Sequence, residues 1–437
     1  MTLNKSYPTK NLENTENETN KTNVTLEHYT VKKYEELKYL QFDIVYNEYV
    51  KKHNRIVTEM LNLSAKYNLS ELPKVIVTQP DMGTGYGNRI SAIVCGFLYS
   101  LITDRLFFID GYNNFEDYYE KDFDHDWKIV TNLYENKNST SRYIHDYNIY
   151  NDFQLVTRGN ISNEEITSHK ILYVRTWDYV CAPITSNPHY KKWFDKMIPD
   201  YRVFTAISLK LLRLHPNISK QVETFANNNF NDYIIGIHLR EKKSPYNMII
   251  PVEHYSQAVK MLLLGMKNTN ITIFVAADSN NGRNKLVNSL REVFNSHSNN
   301  SINIVHTEED MDSPNPVSFR NTGSEVGALI DMKLLSLCDD LLITYGSSFG
   351  FTAAGWSRKA SRQRGPFVVM PIKNSKNDLL VIDKVWVWGA MSNEPCMYLS
   401  KWLIYYEDEE TVRVFKTNPL WLHYSQCHWP QDINIKV

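Results

Sequence analysis

An alternation of short β-branched runs with longer helical patterns recurs in both halves of the chain, and it constrains the fold more than any other feature. Lys74 to Thr78 (KVIVT) reads as a strand, Ile90 to Leu101 as an apolar helix, and Arg105 to Asp110 (RLFFID) as a second buried strand. The rhythm returns at Tyr233 to His238, Ile271 to Ala276, Ile302 to His306, Leu341 to Thr344 and Phe367 to Met370. Helical patterns lie between these strands at Val252 to Met266, Asn284 to Phe294 and Val326 to Cys338. Strands separated by helices pair in parallel, so two α/β units facing each other across a cleft are expected.

With 437 residues the chain has room for two or three domains. Residues 1–25 are polar and aperiodic and read as a disordered lead. Residues 26–72 carry helical spacing (Val45, Val50, Ile56, Met60, Leu63) and read as a helical stem. An N-terminal α/β domain is expected over 73–228 and a C-terminal one over 229–390, with the boundary in the Asn-rich stretch Asn227 to Asn231. Residues 391–437, rich in Trp and Tyr, form a tail expected to fold back over both.

Lys plus Arg total 48 against 49 Asp plus Glu, a formal charge of −1. Without a global positive field, a non-specific nucleic-acid binder is excluded. The 28 Tyr exceed what a core requires, and Tyr with the 9 Trp suits sugar or base recognition as well as the commoner core and interface role. No window reaches the ~18 apolar residues of a membrane helix, and no standard signal peptide is visible. Five Cys are too few for a disulfide framework. Asn-x-Ser/Thr tripeptides are numerous, Asn62, Asn160, Asn217 and Asn270 among them, but many arise by chance in so Asn-rich a chain. The compartment stays open.

Three strand ends carry chemistry. Asp81 to Arg89 (DMGTGYGNR) sets Gly83, Gly85 and Gly87 between a strand and a helix, where glycines permit close approach and the helix start offers N–H groups to an anion. Asp110 then lies where a dinucleotide-binding fold places its ribose-binding acid, so an NAD-dependent enzyme is a rival reading. The third glycine of G-x-G-x-x-G is missing, however, and the loop reads equally as a tight turn. In the second half, Arg240 follows a strand, as a bidentate fork for phosphate or as an ordinary surface ion pair, with His238 two residues earlier on the same face. Asp278 ends the next strand, as a guanine acceptor or a helix cap. Ser347 and Ser348 open a Gly/Ser loop before a helix, as a diphosphate cradle or a simple N-cap.

The order of these motifs resembles the plant xyloglucan α1,2-fucosyltransferase family. Gly85 to Arg89 with Phe97 to Tyr99 and Leu101 to Arg105 is similar to that family's opening. Gly236 to Arg240 looks like the arginine motif shared by α1,2-, α1,6- and protein O-fucosyltransferases. Leu334 to Leu337 with Ser348 to Phe351, and Glu394 to Cys396 with Cys427 and His428, resemble its later segments, so the match runs from about Lys74 to Gln431. The resemblance implies a GT-B-like fold and inverting transfer of fucose from GDP-β-L-fucose to the 2-hydroxyl of a terminal galactose, without a metal. Arg240 would then neutralise the β-phosphate, His238 and Asp278 would contact the nucleoside, and Ser347, Ser348 and Phe349 would line the diphosphate. Asn88 and Arg89 would reach into the cleft.

Tyr173 to Tyr179 resembles a family strand end with an acidic residue, here displaced to Asp178 with Trp177 in the matching place, so Asp178 is the candidate base. Cys396 and Cys427 match paired family positions, and such a bridge, closing about 30 residues, is worth roughly 3–4 kcal/mol on a chain-entropy basis. Cys95 and Cys338 read as inert core thiols. The family's members work in the Golgi, while the absent membrane segment leaves the cytoplasm open. A binding protein that has lost the reaction is the alternative from another class. The acceptor and the oligomeric state, a homodimer included, are left open.

Overall fold

The computed structural model describes residues 39–425 apart from 63–70, 113–114, 136–138, 146–151, 164–165, 167, 242–249, 265, 267–268, 296–300, 308–321, 358–364 and 371–385. Residues 1–25, expected as a disordered lead, and Cys427 fall outside the described residues.

The first sheet has four parallel strands, β1 (Val75–Pro80), β2 (Leu106–Ile109), β3 (Ser141–Ile144) and β4 (Ile171–Thr176), in the order β2-β1-β4-β3. Helix α1 (Leu40–Asn62) forms within the expected stem and brings Val57 and Met60 onto one face of this sheet, against Val75, Val77, Leu106 and Phe108. The other face takes α2 (Tyr86–Thr103), which is buried along most of its length because its sequence is apolar on nearly every side. Strand β3 escapes the sequence reading because its four residues (SRYI) bury only Ile144.

The second sheet has six strands: β5 (Tyr233–Leu239), β6 (Asn270–Ala277), β7 (Ser301–Val305), β8 (Asp340–Thr344), β9 (Phe367–Met370) and β10 (Trp386–Gly389). Their order is β10-β9-β8-β5-β6-β7, parallel except for β10 against β9. Helices α3 (Val252–Leu262), α4 (Asn280–Asn295) and α5 (Thr322–Leu337) lie between the strands in sequence, and α6 (Ser348–Gly355) follows β8. The chain leaves β5 towards β6 and leaves β8 towards β9, in opposite directions. Strand order therefore reverses between β5 and β8, which opens a crevice at their C-terminal ends.

Downstream of β10 the chain folds back on the first half as short helices. Glu394 accepts N–H donors from Phe204 at 2.8 Å and Thr205 at 3.1 Å, and Arg158 meets Asp408 at 3.1 Å. Among the described residues no helix is long and apolar enough to cross a membrane.

Cys95, expected as an inert thiol, is instead bonded to Cys181, 86 residues away. The cause is spatial, since α2 packs on the first sheet and meets the loop that leaves β4. Cys396 is also disulfide-bonded. Cys338 is buried, as expected, and its thiol donates to the Leu334 carbonyl. Replacing Cys95 and Cys181 together by alanine is expected to cost about 2–4 kcal/mol, read as a lower apparent melting temperature in non-reducing buffer.

Candidate functional site

The crevice between β5 and β8 collects the expected donor-side residues. Thr344, which carries no signal of its own in the sequence, organises it. Its hydroxyl donates to the His238 carbonyl at 2.9 Å and accepts the Arg240 backbone N–H at 2.8 Å. A hydroxyl has one hydrogen, so Tyr255, at 2.7 Å, must donate to it in turn. This lock fixes where the chain turns out of β5, and with it the root of the Arg240 side chain.

Arg240 is itself half exposed, with 44% of its side chain accessible, and its Nε stands 3.3 Å from Asp278 Oδ2. Its two outer nitrogens contact no acceptor among the described residues. Asp278 spends its other oxygen on the Glu241 backbone N–H at 2.7 Å, so it ties the loop after β5 to the end of β6. The cap of α4 is Ser279, whose Oγ accepts the Gly282 N–H at 2.9 Å, so Asp278 is not the helix cap.

His238 lies two residues before Arg240, buried, with its ring stacked on Phe349 at 4.9 Å between centroids and 24° between planes. Its Nδ1 is buried without a hydrogen-bond partner. Burial, reinforced by the Arg240 charge, lowers its pKa from 6.5 to about 3, so the imidazole stays neutral at physiological pH. Gly346 takes φ +70°, the left-handed turn that favours glycine, and aims the chain from β8 into α6. Ser347 is the N-cap of α6, yet its side chain makes no capping bond, which leaves the first N–H groups of the helix without a side-chain acceptor from it.

The first half meets this site through the glycine loop. Gly85 caps α2 without a side-chain bond, and a Cβ on Gly87 would stand 2.8 Å from the backbone of Ser348. Only glycine lets the starts of α2 and α6 touch. Asn88, half buried on the first turn of α2, makes no side-chain hydrogen bond among the described residues.

Arg89, expected to reach into the cleft, is instead fully buried. Its Nη1 bonds Glu325 Oε1 at 2.7 Å, while Tyr118 donates to the other Glu325 oxygen at 2.7 Å. Its Nε donates to the Thr84 carbonyl at 3.1 Å. The guanidinium therefore joins the glycine loop to the first turn of α5, because in a low-dielectric interior a charge is tolerable only when paired. Glu325 gave no signal in the sequence because it stands 236 residues from its partner.

Asp178, the candidate base, is fully buried and accepts the backbone N–H groups of Tyr398 at 3.0 Å and Leu399 at 2.7 Å. Burial raises its pKa from 3.8 to about 6 against those bonds. It anchors the tail and has no open oxygen for a substrate hydroxyl. Asp178→Asn leaves one backbone N–H unanswered and is expected to cost about 1–3 kcal/mol. A carboxyl with a raised folded pKa stabilises most below its unfolded pKa and loses that contribution as pH rises through the folded one. The stability gap between wild type and Asp178→Asn is therefore expected to be widest near pH 4 and to narrow towards pH 6, measured as melting temperatures across that range.

No family model and no curated protein matches the sequence. Among solved structures, the chain is similar to an arginine-to-lysine mutant of Arabidopsis thaliana FUT1 in complex with GDP, at 18% identity, covering 81% of this chain and 83% of that one, with a TM-score of 0.60. A looser likeness links it to the alpha-1,6-fucosyltransferase NodZ from Bradyrhizobium, soaked with GDP-fucose, at 14% identity, 72% of this chain and 99% of that one, TM-score 0.43. The two parallel sheets and their crevice thus form the expected GT-B-like fold, shared with the plant fucosyltransferase.

Proposed function

We propose that the chain is an inverting fucosyltransferase that moves L-fucose from GDP-β-L-fucose to the 2-hydroxyl of a terminal galactose. The reading is carried by Arg240, whose outer nitrogens meet no acceptor among the described residues, at the reversal point of the second sheet where α6 also begins. Fucose leaves with oxocarbenium character while negative charge gathers on the GDP β-phosphate. Donors fixed before the reaction stabilise that charge without reorganising. Arg240 supplies the full charge and the α6 start the partial one. Neutral His238 places no second cation there, and its ring backs Phe349 at the start of α6. Ser347, Ser348 and Phe349 line the diphosphate, Asp278 holds Arg240 and the guanine side, and Asn88 faces them from the first half.

With Asp178 spent on the tail, catalysis rests on leaving-group stabilisation, and charge neutralisation by Arg240 makes the transfer metal-independent. The second half holds the donor and the first half a galactose-terminated glycan. The buried Cys95–Cys181 bridge and the bonded Cys396 support folding in an oxidising compartment such as the Golgi lumen.

GDP release from GDP-fucose, measured with and without galactosylated acceptors, tests the reading, and linkage analysis of the product tests the 2-hydroxyl. Release that no acceptor stimulates overturns it. Because Asp178 is withdrawn, a second reading is a GDP-sugar-binding protein without turnover, which the same assay recognises as GDP binding with no product.

A further inference from the structure

At the C-terminal ends of β1 and β4, the two central strands of the first sheet, four residues are bonded into one network. Gln79 and Arg175 are register partners there. The Gln79 amide donates to Asp110 Oδ2 at 2.7 Å and accepts from Arg175 Nε at 2.9 Å and Nη2 at 2.7 Å. Arg175 Nη2 also donates to the Tyr143 hydroxyl at 2.9 Å, with the guanidinium over the Tyr143 ring at 4.6 Å. Tyr143 in turn stacks on Tyr173, its register partner on β4, at 5.0 Å and 22°.

These side chains share the face that α1 covers lower down. At the upper end of that face Gln79, Asp110, Tyr173 and Arg175 are only partly buried, and Tyr143 is 38% exposed. The chain leaves β1 for the edge strand β2 and leaves β4 out of the sheet altogether, so the connections diverge at these two strand ends, the kind of place where open α/β sheets bind ligands.

We propose that this network is a saccharide subsite, holding a neutral pyranose of the acceptor other than the one that receives fucose; the assignment to an acceptor rests on the proposed transfer. Among the described residues the network joins one cation and one carboxylate through an amide, so it presents no excess of either sign to draw a charged ligand. A pyranose offers hydroxyls in a plane and an apolar C–H face, which match a fixed set of planar donors and acceptors beside aromatic rings. The groups are held by one another, so binding costs little ordering of side chains.

The test uses the full chain with neutral galactose-terminated oligosaccharides of increasing length, titrated without donor and then assayed with GDP-fucose. Wild type is expected to favour longer acceptors. Tyr143→Ala and Arg175→Ala should each weaken binding of the longer ones by about tenfold and reduce the ratio of KM between short and long acceptors. GDP titrated into the same variants checks their folding. Tyr143→Phe keeps the ring but loses the hydroxyl and should fall between wild type and Tyr143→Ala. Retained length preference in both alanine variants overturns the subsite, as does a wild type that binds GDP but shows no length preference. Binding of NAD at this network in place of any saccharide overturns it as well. Absence of any fucose transfer, with length-dependent saccharide binding intact, overturns the transferase reading alone.

Discussion

Arg240→Ala is expected to reduce fucose transfer by about 10²–10³-fold while leaving the fold unchanged. The side chain is half exposed and its salt bridge to Asp278 is partly solvated, so truncation removes little packing. The donor loop keeps its shape, because Thr344 holds the Arg240 backbone N–H and Asp278 holds that of Glu241, and neither bond involves the lost guanidinium. The loss should therefore fall on kcat more than on the apparent affinity for donor, since the β-phosphate gains charge only as fucose departs. Arg240→Lys keeps the charge without the planar fork and should recover part of the rate. Steady-state kinetics with GDP-fucose, beside unchanged circular dichroism, measure both effects. Near-normal turnover in Arg240→Ala would remove this residue from the site.

Breaking the buried Arg89–Glu325 pair is expected to be the largest stability change available to a single substitution near the site. Arg89→Ala strands the Glu325 carboxylate among Tyr118 and Tyr112 without its counter-charge, at a cost of about 3–5 kcal/mol. The pair joins the glycine loop to α5, so the loss should also loosen the contact of Gly87 with Ser348 and slow transfer indirectly. Replacing both partners removes the isolated charge, and the double variant Arg89→Met with Glu325→Gln should regain most of the lost melting temperature. Thermal unfolding of the single and double variants, with hydrogen exchange across 84–89, reads both outcomes. Equal destabilisation in the single and double variants would show that the charge pair is not the cause.

Residues of one type met different fates for physical reasons. Arg240 and Arg89 both follow motif positions, yet one ends a strand at an open crevice and the other starts a helix pressed between the two halves. Asp278 and Asp178 both follow strands, yet the first stays partly open beside a guanidinium, while the second disappears under the returning tail. The pattern of a strand end identifies where a polar side chain is offered. What then covers it depends on segments hundreds of residues away, such as Tyr398 and Leu399 over Asp178.

The sequence by itself determined the elements. Continuous apolar runs such as YIIGIH and LLIT bury both faces as parallel strands covered by helices, and the helices between them serve as crossovers, so β5, β6, β8 and β9 lie close to where the strand–helix alternation puts them. The same local rules set Arg240, Asp278 and Ser347 at strand ends, because side-chain direction along a strand is fixed by the pleat. Tertiary structure alone decided which of these ends face the same space. It also decided the Cys95–Cys181 bridge, the Arg89–Glu325 pair, the hydroxyl lock at Thr344 and the meeting of Gln79, Asp110, Arg175 and Tyr143. None of these has a periodic signature, since each joins groups by desolvation and hydrogen bonding across elements, and only the packed chain brings the partners within bonding distance.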